Sequence, residues 1–115
     1  MQAKPLIYSC SGCSNNAQLA NQIALDMDRQ DIAEMSCIAG VGGNVSKLVK
    51  LAKSGRDIIA LDGCNLHCVK GCLANHDVTA KVHLTLTDEG LKKRYKTDFN
   101  KDDSSKIQEI ILQQL

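Results

Sequence analysis

The chain has few of the residues that characterise several common protein classes. Its 115 residues include one proline, no tryptophan, two tyrosines and one phenylalanine. A single proline excludes a proline-rich linker protein. The scarcity of aromatic side chains leaves leucine, isoleucine, valine, alanine and methionine to build the core. A domain of this length buries enough apolar surface to fold without disulfide bonds. We therefore expect one α/β domain that spans residues 1–115.

The chain also lacks a charge excess and a long hydrophobic run. Its net charge is +1, which gives no electrostatic basis for binding nucleic acid or an anionic membrane. The basic residues 92–96 are flanked by Glu89 and Asp98 and are typical of a solvated loop. Only three apolar residues follow the N-terminal Met1–Pro5, and no run approaches the ~20 residues that span a bilayer. We expect a soluble, cytoplasmic protein with no nucleic-acid or membrane partner.

What the chain does contain is an unusual number of cysteines. There are six, and they are Cys10, Cys13, Cys37, Cys64, Cys68 and Cys72. In a reducing cytosol, closely spaced cysteines are more often metal ligands or redox groups than structural disulfides. Free cysteines are often small buried core residues without a chemical role, and this alternative is as reasonable as a functional one for Cys37 alone, but not for the set.

Apolar runs alternate with helical patterns along the whole chain. Strands are expected at residues 5–9, 32–38, 57–62 and 78–86, with a tight turn at 40–43. Helices are expected after Ser14, from about 44 to 54, over 65–75, and after Ser104. This alternation predicts a parallel sheet with right-handed crossovers and helices on both faces. The expected architecture is a three-layer, Rossmann-like or flavodoxin-like sheet of about four strands in the order 2-1-3-4.

Three of the cysteines follow the first three predicted strands. With the order 2-1-3-4, Cys10, Cys37 and Cys64 lie on adjacent strand ends, at the sheet edge where α/β proteins bind ligands. Cys13 and Cys64 also lie near predicted helix N-termini, where the helix dipole favours the thiolate.

The cysteine spacings suit a metal site. Cys10 and Cys13 form a Cys-x-x-Cys pair, and four thiolates in a tetrahedron bind zinc. Cys64, Cys68 and Cys72 are spaced by four residues and would line one face of the predicted third helix. Because Cys64 and Cys72 would then lie two turns apart, all three do not suit a single ion. The sequence predicts one bound metal ion, zinc first, at the C-terminal edge of the sheet.

Other functions fit the same residues. A thiol-dependent redox or sulfur-transfer protein would use Cys10 or Cys64 as nucleophile, with a small anion bound near the loops after strands 1 and 2. An iron–sulfur cluster also takes four thiolates, but the spacing matches no ferredoxin pattern. A regulatory protein whose metal holds its loops in place is a further alternative. Asp62 either orients a ligand or caps a loop, whereas His67 and His83 are expected to face water.

Two motifs resemble those of a known family. Asp62-Gly63-Cys64 with Cys68, and Cys10-Ser11-Gly12 after the first strand, resemble the DGC-domain proteins of bacteria and archaea. Segments 36–40 and 84–88 are similar as well, so the resemblance covers nearly the whole chain. It implies a zinc-binding protein without an assigned biochemical role. It also implies that Cys10, Cys37, Cys64 and Cys68 are the main metal set, with Cys13 and Cys72 as accessory positions.

Overall fold

A computed structural model describes residues 3–115, which form four β-strands and five α-helices. The strands are β1 (Leu6–Ser9), β2 (Glu34–Met35), β3 (Ile58–Asp62) and β4 (Val82–Thr85). The helices are α1 (Asn15–Arg29), α2 (Ile38–Gly42), α3 (Ser46–Ala52), α4 (Cys68–Ala74) and α5 (Asp102–Gln114). A 3₁₀ turn, Leu86–Glu89, follows β4 directly. None of these helices is long and apolar enough to cross a membrane.

The four strands form one parallel sheet in the order β2-β1-β3-β4. The predicted fold class and strand order are therefore confirmed. Strands β1 and β3 lie at the centre and pair from Leu6↔Ile58 to Ser9↔Leu61. Because of this register, the residues that follow β1 emerge beside Asp62, the last residue of β3.

Helices cover the two faces of the sheet unequally. The long-helix face is covered by α1 and α5, whose side chains pack on the outer strands and on Ile7, Ile59 and Leu61. The short-helix face is covered by α2, α3 and α4, which pack on Leu6, Tyr8, Ile58 and Ala60. The residues of α1 and α5 in the first cluster are Leu19, Ala20, Ile23, Ala24, Met27, Ile107 and Ile111. Those of the short helices in the second cluster are Val41, Ala52, Val69 and Leu73.

The second strand is shorter than its apolar run suggests. The strand expected over residues 32–38 is confirmed only at Glu34–Met35, and the turn expected at 40–43 is wrong, because residues 38–42 form α2. Only two residue pairs join β2 to β1. After Ser36 N–H donates to the Ile7 carbonyl over 3.1 Å, the chain leaves the sheet and buries Val41 on the short-helix face. The apolar residues beyond Met35 therefore serve helix packing.

The third predicted helix begins three residues later than expected. Helix α4 starts at Cys68, and the residues between β3 and α4 form a loop in which Leu66 is 71% exposed rather than inward-facing. Strand β4 is likewise shorter than residues 78–86, since Val82 is its first paired residue. The late start of α4 matters for the site, because it places Cys64 in the loop and not on the helix.

Candidate functional site

Asp62 caps the N-terminus of α4 from the end of β3. Its carboxylate is 1% exposed and accepts hydrogen bonds from the backbone N–H of Val69 (2.8 Å) and of Lys70 (3.2 Å). These are two of the N–H groups that have no partner within the helix. The positive end of the helix dipole also favours a carboxylate at this position. Of the two roles that the sequence left open for Asp62, the structure supports the cap.

His83 completes the environment of the buried carboxylate. Its Nε2 lies 2.8 Å from Asp62 Oδ2, and its ring meets that of His67 edge-on at 5.2 Å between centroids. His67 Nε2 in turn lies 3.1 Å from the Thr85 hydroxyl. The expectation that His67 and His83 face water is therefore wrong. Both rings belong to a polar network between α4 and β4 that holds Asp62.

Gly63 allows the loop after β3 to lie against α1. A Cβ atom built on Gly63 would lie 2.9 Å from the backbone N of Ala17 and 2.9 Å from the carbonyl carbon of Asn16. Backbone atoms cannot yield at this distance, so only glycine fits. The buried Asn16 side chain then fastens the loop, because its Nδ2 donates to the carbonyls of Gly63 (3.1 Å) and Leu91 (2.8 Å).

Cys10 lies directly beside this loop. Its backbone N–H donates to the Leu61 carbonyl over 3.0 Å, and its Sγ accepts a hydrogen bond of 3.1 Å from Gly63 N–H. Burial raises the pKa of the Cys10 thiol above its ordinary value. The Gly63 hydrogen bond acts in the opposite direction, while the negative charges of Asp62, Cys68 and Cys64 raise the pKa further. Three acidic groups thus share the surroundings of this thiol.

Cys64 is in contact with Lys93, which the sequence does not predict. The Lys93 ammonium donates to Cys64 Sγ over 3.4 Å, although the two residues are far apart in the chain. The Tyr95 and Cys64 side chains raise the pKa of Lys93, which keeps it charged. Lys93 was expected to be one of several solvated lysines. Instead it supplies a positive charge to a half-buried thiol.

Cys68 and Cys72 are the two cysteines that α4 holds on one face. Cys68 is the first residue of α4 and is exposed, whereas Cys72 lies one turn further and is half-buried. Burial raises the pKa of Cys72, and the charges of Cys68 and Asp62 raise it further. Cys72 Sγ packs against Gly42 of α2, where an added Cβ would lie at 2.9 Å.

The other two cysteines lie at the starts of α1 and α2. Cys13 is exposed and precedes Ser14, the residue that caps α1 by accepting from Ala17 N–H over 3.1 Å. Cys37 is exposed, precedes α2, and lines an open groove of about 620 Å³ together with Ser9 and Ser11. The groove is continuous with the loop that carries Cys10 and Cys13.

The arrangement offers thiol donors without holding them at metal-binding distance. Within residues 3–115, no three side chains of histidine, cysteine, aspartate or glutamate are gathered closely enough to hold one ion. The donor types suit zinc, since thiolates are its preferred structural ligands. Metal binding at these cysteines, the choice among them and the anion expected near the loops after β1 and β2 all stay predictions.

Several residues of the site carry no local sequence signal. Lys93 and His83 belong to segments that look solvated, and Asn16 looks like one more polar residue at a helix start. Their roles depend on contacts that join residues far apart in the chain. These contacts form where loop 90–94 and strand β4 pack against α1 and the loop and helix after β3. Asp62, in contrast, could be identified from the sequence because it lies at the end of a predicted strand.

Comparison with known proteins identifies the family. The chain belongs to the DGC domain family, whose model matches residues 6–111. It is similar to the anaerobic and virulence modulator AnvM of Pseudomonas aeruginosa, with 63% identity over 103 residues, which is 90% of this chain and 79% of that protein. No solved structure matches the chain significantly. The resemblance inferred from the two cysteine motifs is thereby confirmed.

Proposed function

We propose that this protein is a small regulatory module that binds one thiophilic metal ion, zinc first, at the cysteine-bearing edge of its sheet. The observation that carries the proposal is the neighbourhood of Cys10. This thiol follows β1 and accepts a hydrogen bond from Gly63 N–H in the loop that carries Cys64, and the negative charges of Cys68 and Cys64 raise its pKa. The thiolates of these three cysteines would repel one another if brought together, and a divalent cation bound between them would remove that repulsion.

Cys72 is our choice for the fourth ligand. It lies one helical turn from Cys68, a separation that brings two side chains on a helix to about 5–6 Å, and the charge of Cys68 reaches it. The objection that Cys64 and Cys72 lie two turns apart on one helix no longer applies, because Cys64 belongs to the preceding loop. The resemblance to the family favours Cys37 in this place, so the two assignments make different predictions.

Binding requires the thiols to move towards one another. Cys68 is exposed and Cys64 is only half-buried, in a loop without regular structure, so their side chains have room to turn. Cys10 is held by Gly63 N–H and would provide the stationary side of the site. A metal would tie the end of β1 to the start of α4 and order the loop between β3 and α4. Such a coupling suits a regulatory protein whose surface changes with metal occupancy.

The relative supports the regulatory part of the proposal. That protein is named an anaerobic and virulence modulator, and it shares 63% of the aligned residues with this chain. We propose that this chain also acts as a modulator, with its cysteine edge as the responsive part.

Metal analysis of untagged protein purified without oxygen tests the proposal. We expect a colourless protein with about one zinc per chain. The variants C10S, C64S and C68S should lose it, whereas C13S, the matched exposed cysteine, should retain it. A comparison of C72S with C37S identifies the fourth ligand. Less than about a tenth of an equivalent of any metal in the wild type would refute metal binding. Visible colour with bound iron would replace zinc by an iron–sulfur cluster.

A further inference from the structure

We infer that Lys93, Cys64 and Cys10 form a peroxide-responsive unit, in which Cys64 is oxidised first and Cys10 then closes a Cys10–Cys64 disulfide. This inference concerns the metal-free form of the protein, because a metal bound by Cys10 and Cys64 would occupy the same sulfur atoms. The contact between the Lys93 ammonium and Cys64 Sγ, 3.4 Å long, is its starting point. A cation in contact with a sulfur atom stabilises the negative charge of the attacking thiolate.

The fold holds Lys93 in place rather than leaving it on a free loop. Asn15 of α1 binds the residues on both sides of it. Asn15 Nδ2 donates to the Lys92 carbonyl over 3.0 Å, and Asn15 Oδ1 accepts from Arg94 N–H over 2.6 Å. Asn15 N–H also donates to the Arg94 carbonyl over 3.0 Å. The ammonium of Lys93 lies 5.1 Å from the centre of the Tyr95 ring, which further limits its positions.

Cys10 lies against the loop that carries Cys64. Its Sγ is 3.1 Å from the backbone N of Gly63, the residue that precedes Cys64. The two cysteines follow neighbouring central strands, whose backbones in a sheet lie about 4.8 Å apart. Cys10 is half-buried, as Cys64 is, but within residues 3–115 no lysine or arginine donates a hydrogen bond to its sulfur, so the Lys93 contact makes Cys64 the thiol that peroxide attacks first. The order of the two steps follows from this difference.

The chemistry needs a hydroperoxide as the oxidant. The Cys64 thiolate attacks one peroxide oxygen, an S–O bond forms, the O–O bond breaks, and the released hydroxide takes a proton to become water. Cys64 is thereby oxidised to the sulfenic acid, and the peroxide is reduced. The sulfur of Cys10 then attacks the sulfur of the sulfenic acid. An S–S bond forms, the S–O bond breaks, and the hydroxyl leaves as water with the proton of Cys10.

Cys13 provides the internal reference for this reaction. It is more exposed than Cys64, but within residues 3–115 no lysine or arginine donates a hydrogen bond to its sulfur. If exposure alone decided reactivity, Cys13 would be oxidised before Cys64. If the Lys93 contact decides it, the order is reversed.

Timed oxidation of the metal-free, full-length chain with hydrogen peroxide, followed by peptide mass spectrometry, tests the inference. We expect a Cys10–Cys64 disulfide in the wild type. In C10S, dimedone should trap a sulfenic acid on Cys64 faster than on Cys13. The K93Q variant should react about fivefold more slowly at Cys64, the effect expected for removing a unit charge at this distance, whereas K93R should retain the rate. K92Q, which removes the neighbouring lysine, is the matched control.

Equal rates at Cys64 in K93Q, K92Q and the wild type would overturn the role of Lys93. A disulfide that excludes Cys10, or oxidation of Cys13 before Cys64, would overturn the proposed order. Circular dichroism of each variant separates a loss of reactivity from a loss of fold. Zinc content, measured in the same samples before the metal is removed, tests metal binding. The oxidation rate at Cys64, measured separately, tests this inference, so failure of one is distinguished from failure of the other.

Discussion

The two faces of the sheet differ in how their helices are stabilised. Helices α1 and α5 span 15 and 13 residues and bury continuous apolar stripes on the long-helix face. On the short-helix face, α2, α3 and α4 span only 5, 7 and 7 residues. Helices shorter than about 12 residues are marginal on their own. The short helices therefore depend on tertiary contacts, and they or their flanking loops carry Cys37, Cys64, Cys68 and Cys72.

This difference indicates that the two faces of the sheet contribute differently to stability and to function. The long-helix face supplies most of the stability, since its side chains form the larger apolar cluster. The short-helix face has a smaller apolar cluster and is fixed in addition by local contacts such as the Asp62 cap of α4. A face held in this way can rearrange at low cost when a metal binds or a thiol is oxidised. Substitutions on the two faces should therefore have different consequences.

The largest effect is expected from the long-helix face. Ile23 of α1 is fully buried, and I23A would leave a cavity that costs about 2–5 kcal/mol of unfolding free energy. Chemical denaturation measures this loss. Because Ile23 lies in the cluster of the long-helix face, against which Cys10 packs but no other cysteine of residues 3–115, zinc content and Cys64 reactivity should be unchanged in the fraction that remains folded. A loss of zinc binding without loss of stability would contradict the division between the faces.

The next effect is expected where the loop after β3 meets α1. G63A places a methyl group 2.9 Å from backbone atoms of Asn16 and Ala17, and overpacking of this kind costs about 1–3 kcal/mol. The loop must shift, so the hydrogen bond from Gly63 N–H to Cys10 Sγ should break and Cys10 should be alkylated faster. Thermal unfolding and alkylation rates measure the two consequences.

Gly71 is the matched control for Gly63. It lies within α4, and a Cβ there would meet nothing within 4 Å. G71A should therefore stabilise α4 by about 0.5–1 kcal/mol through helix propensity alone. If G63A and G71A had the same effect, the close contact between the loop and α1 would not be a determinant of the site.

A similar or smaller effect is expected from removing the cap of α4. D62N keeps one acceptor oxygen but loses the charge at the helix N-terminus, and a loss of about 1 kcal/mol is typical of a weakened cap. Amide hydrogen exchange should increase at Val69 and Lys70, whose N–H groups Asp62 binds, while the amides of α1 and α5 keep their protection. D57N, at an exposed aspartate just before β3, is the control. Uniformly faster exchange in both faces of D62N would show that α4 is not an independently held element.

The sequence was sufficient for the fold because its signals there are local and repeated. The unbroken apolar run 57–62 predicted the central strand, and the alternation of strands and helices predicted the parallel order. The length of the second strand was wrongly predicted from residues 32–38. In the sequence, an apolar run that ends in a short helix has the same pattern as one that continues a strand. Only the length of pairing with β1, a tertiary property, distinguishes the two.

The site was predictable only in part, because some of its residues are brought together by tertiary contacts that have no local sequence signal. Cys10 and Cys64 were assigned to strand ends, where they lie, and Asp62 was singled out. The start of α4 was misplaced because Asn65 and Leu66 are compatible with a helix, whereas the loop is maintained by Gly63, Asn16 and Asp62. Lys93 and His83 reach the site from loop 90–94 and from β4. No spacing within the chain reports a contact of this kind.

The central claim is that Cys10, Cys64 and Cys68 act together as one thiol site at the end of β1 and β3. The most direct test is zinc titration of the full-length chain with alkylation of each cysteine followed by mass spectrometry. We predict that these three cysteines lose reactivity together and completely at about one zinc per chain, while exposed Cys13 remains reactive. Protection of Cys13 without Cys10, Cys64 and Cys68, or no protection at any cysteine, would contradict the account.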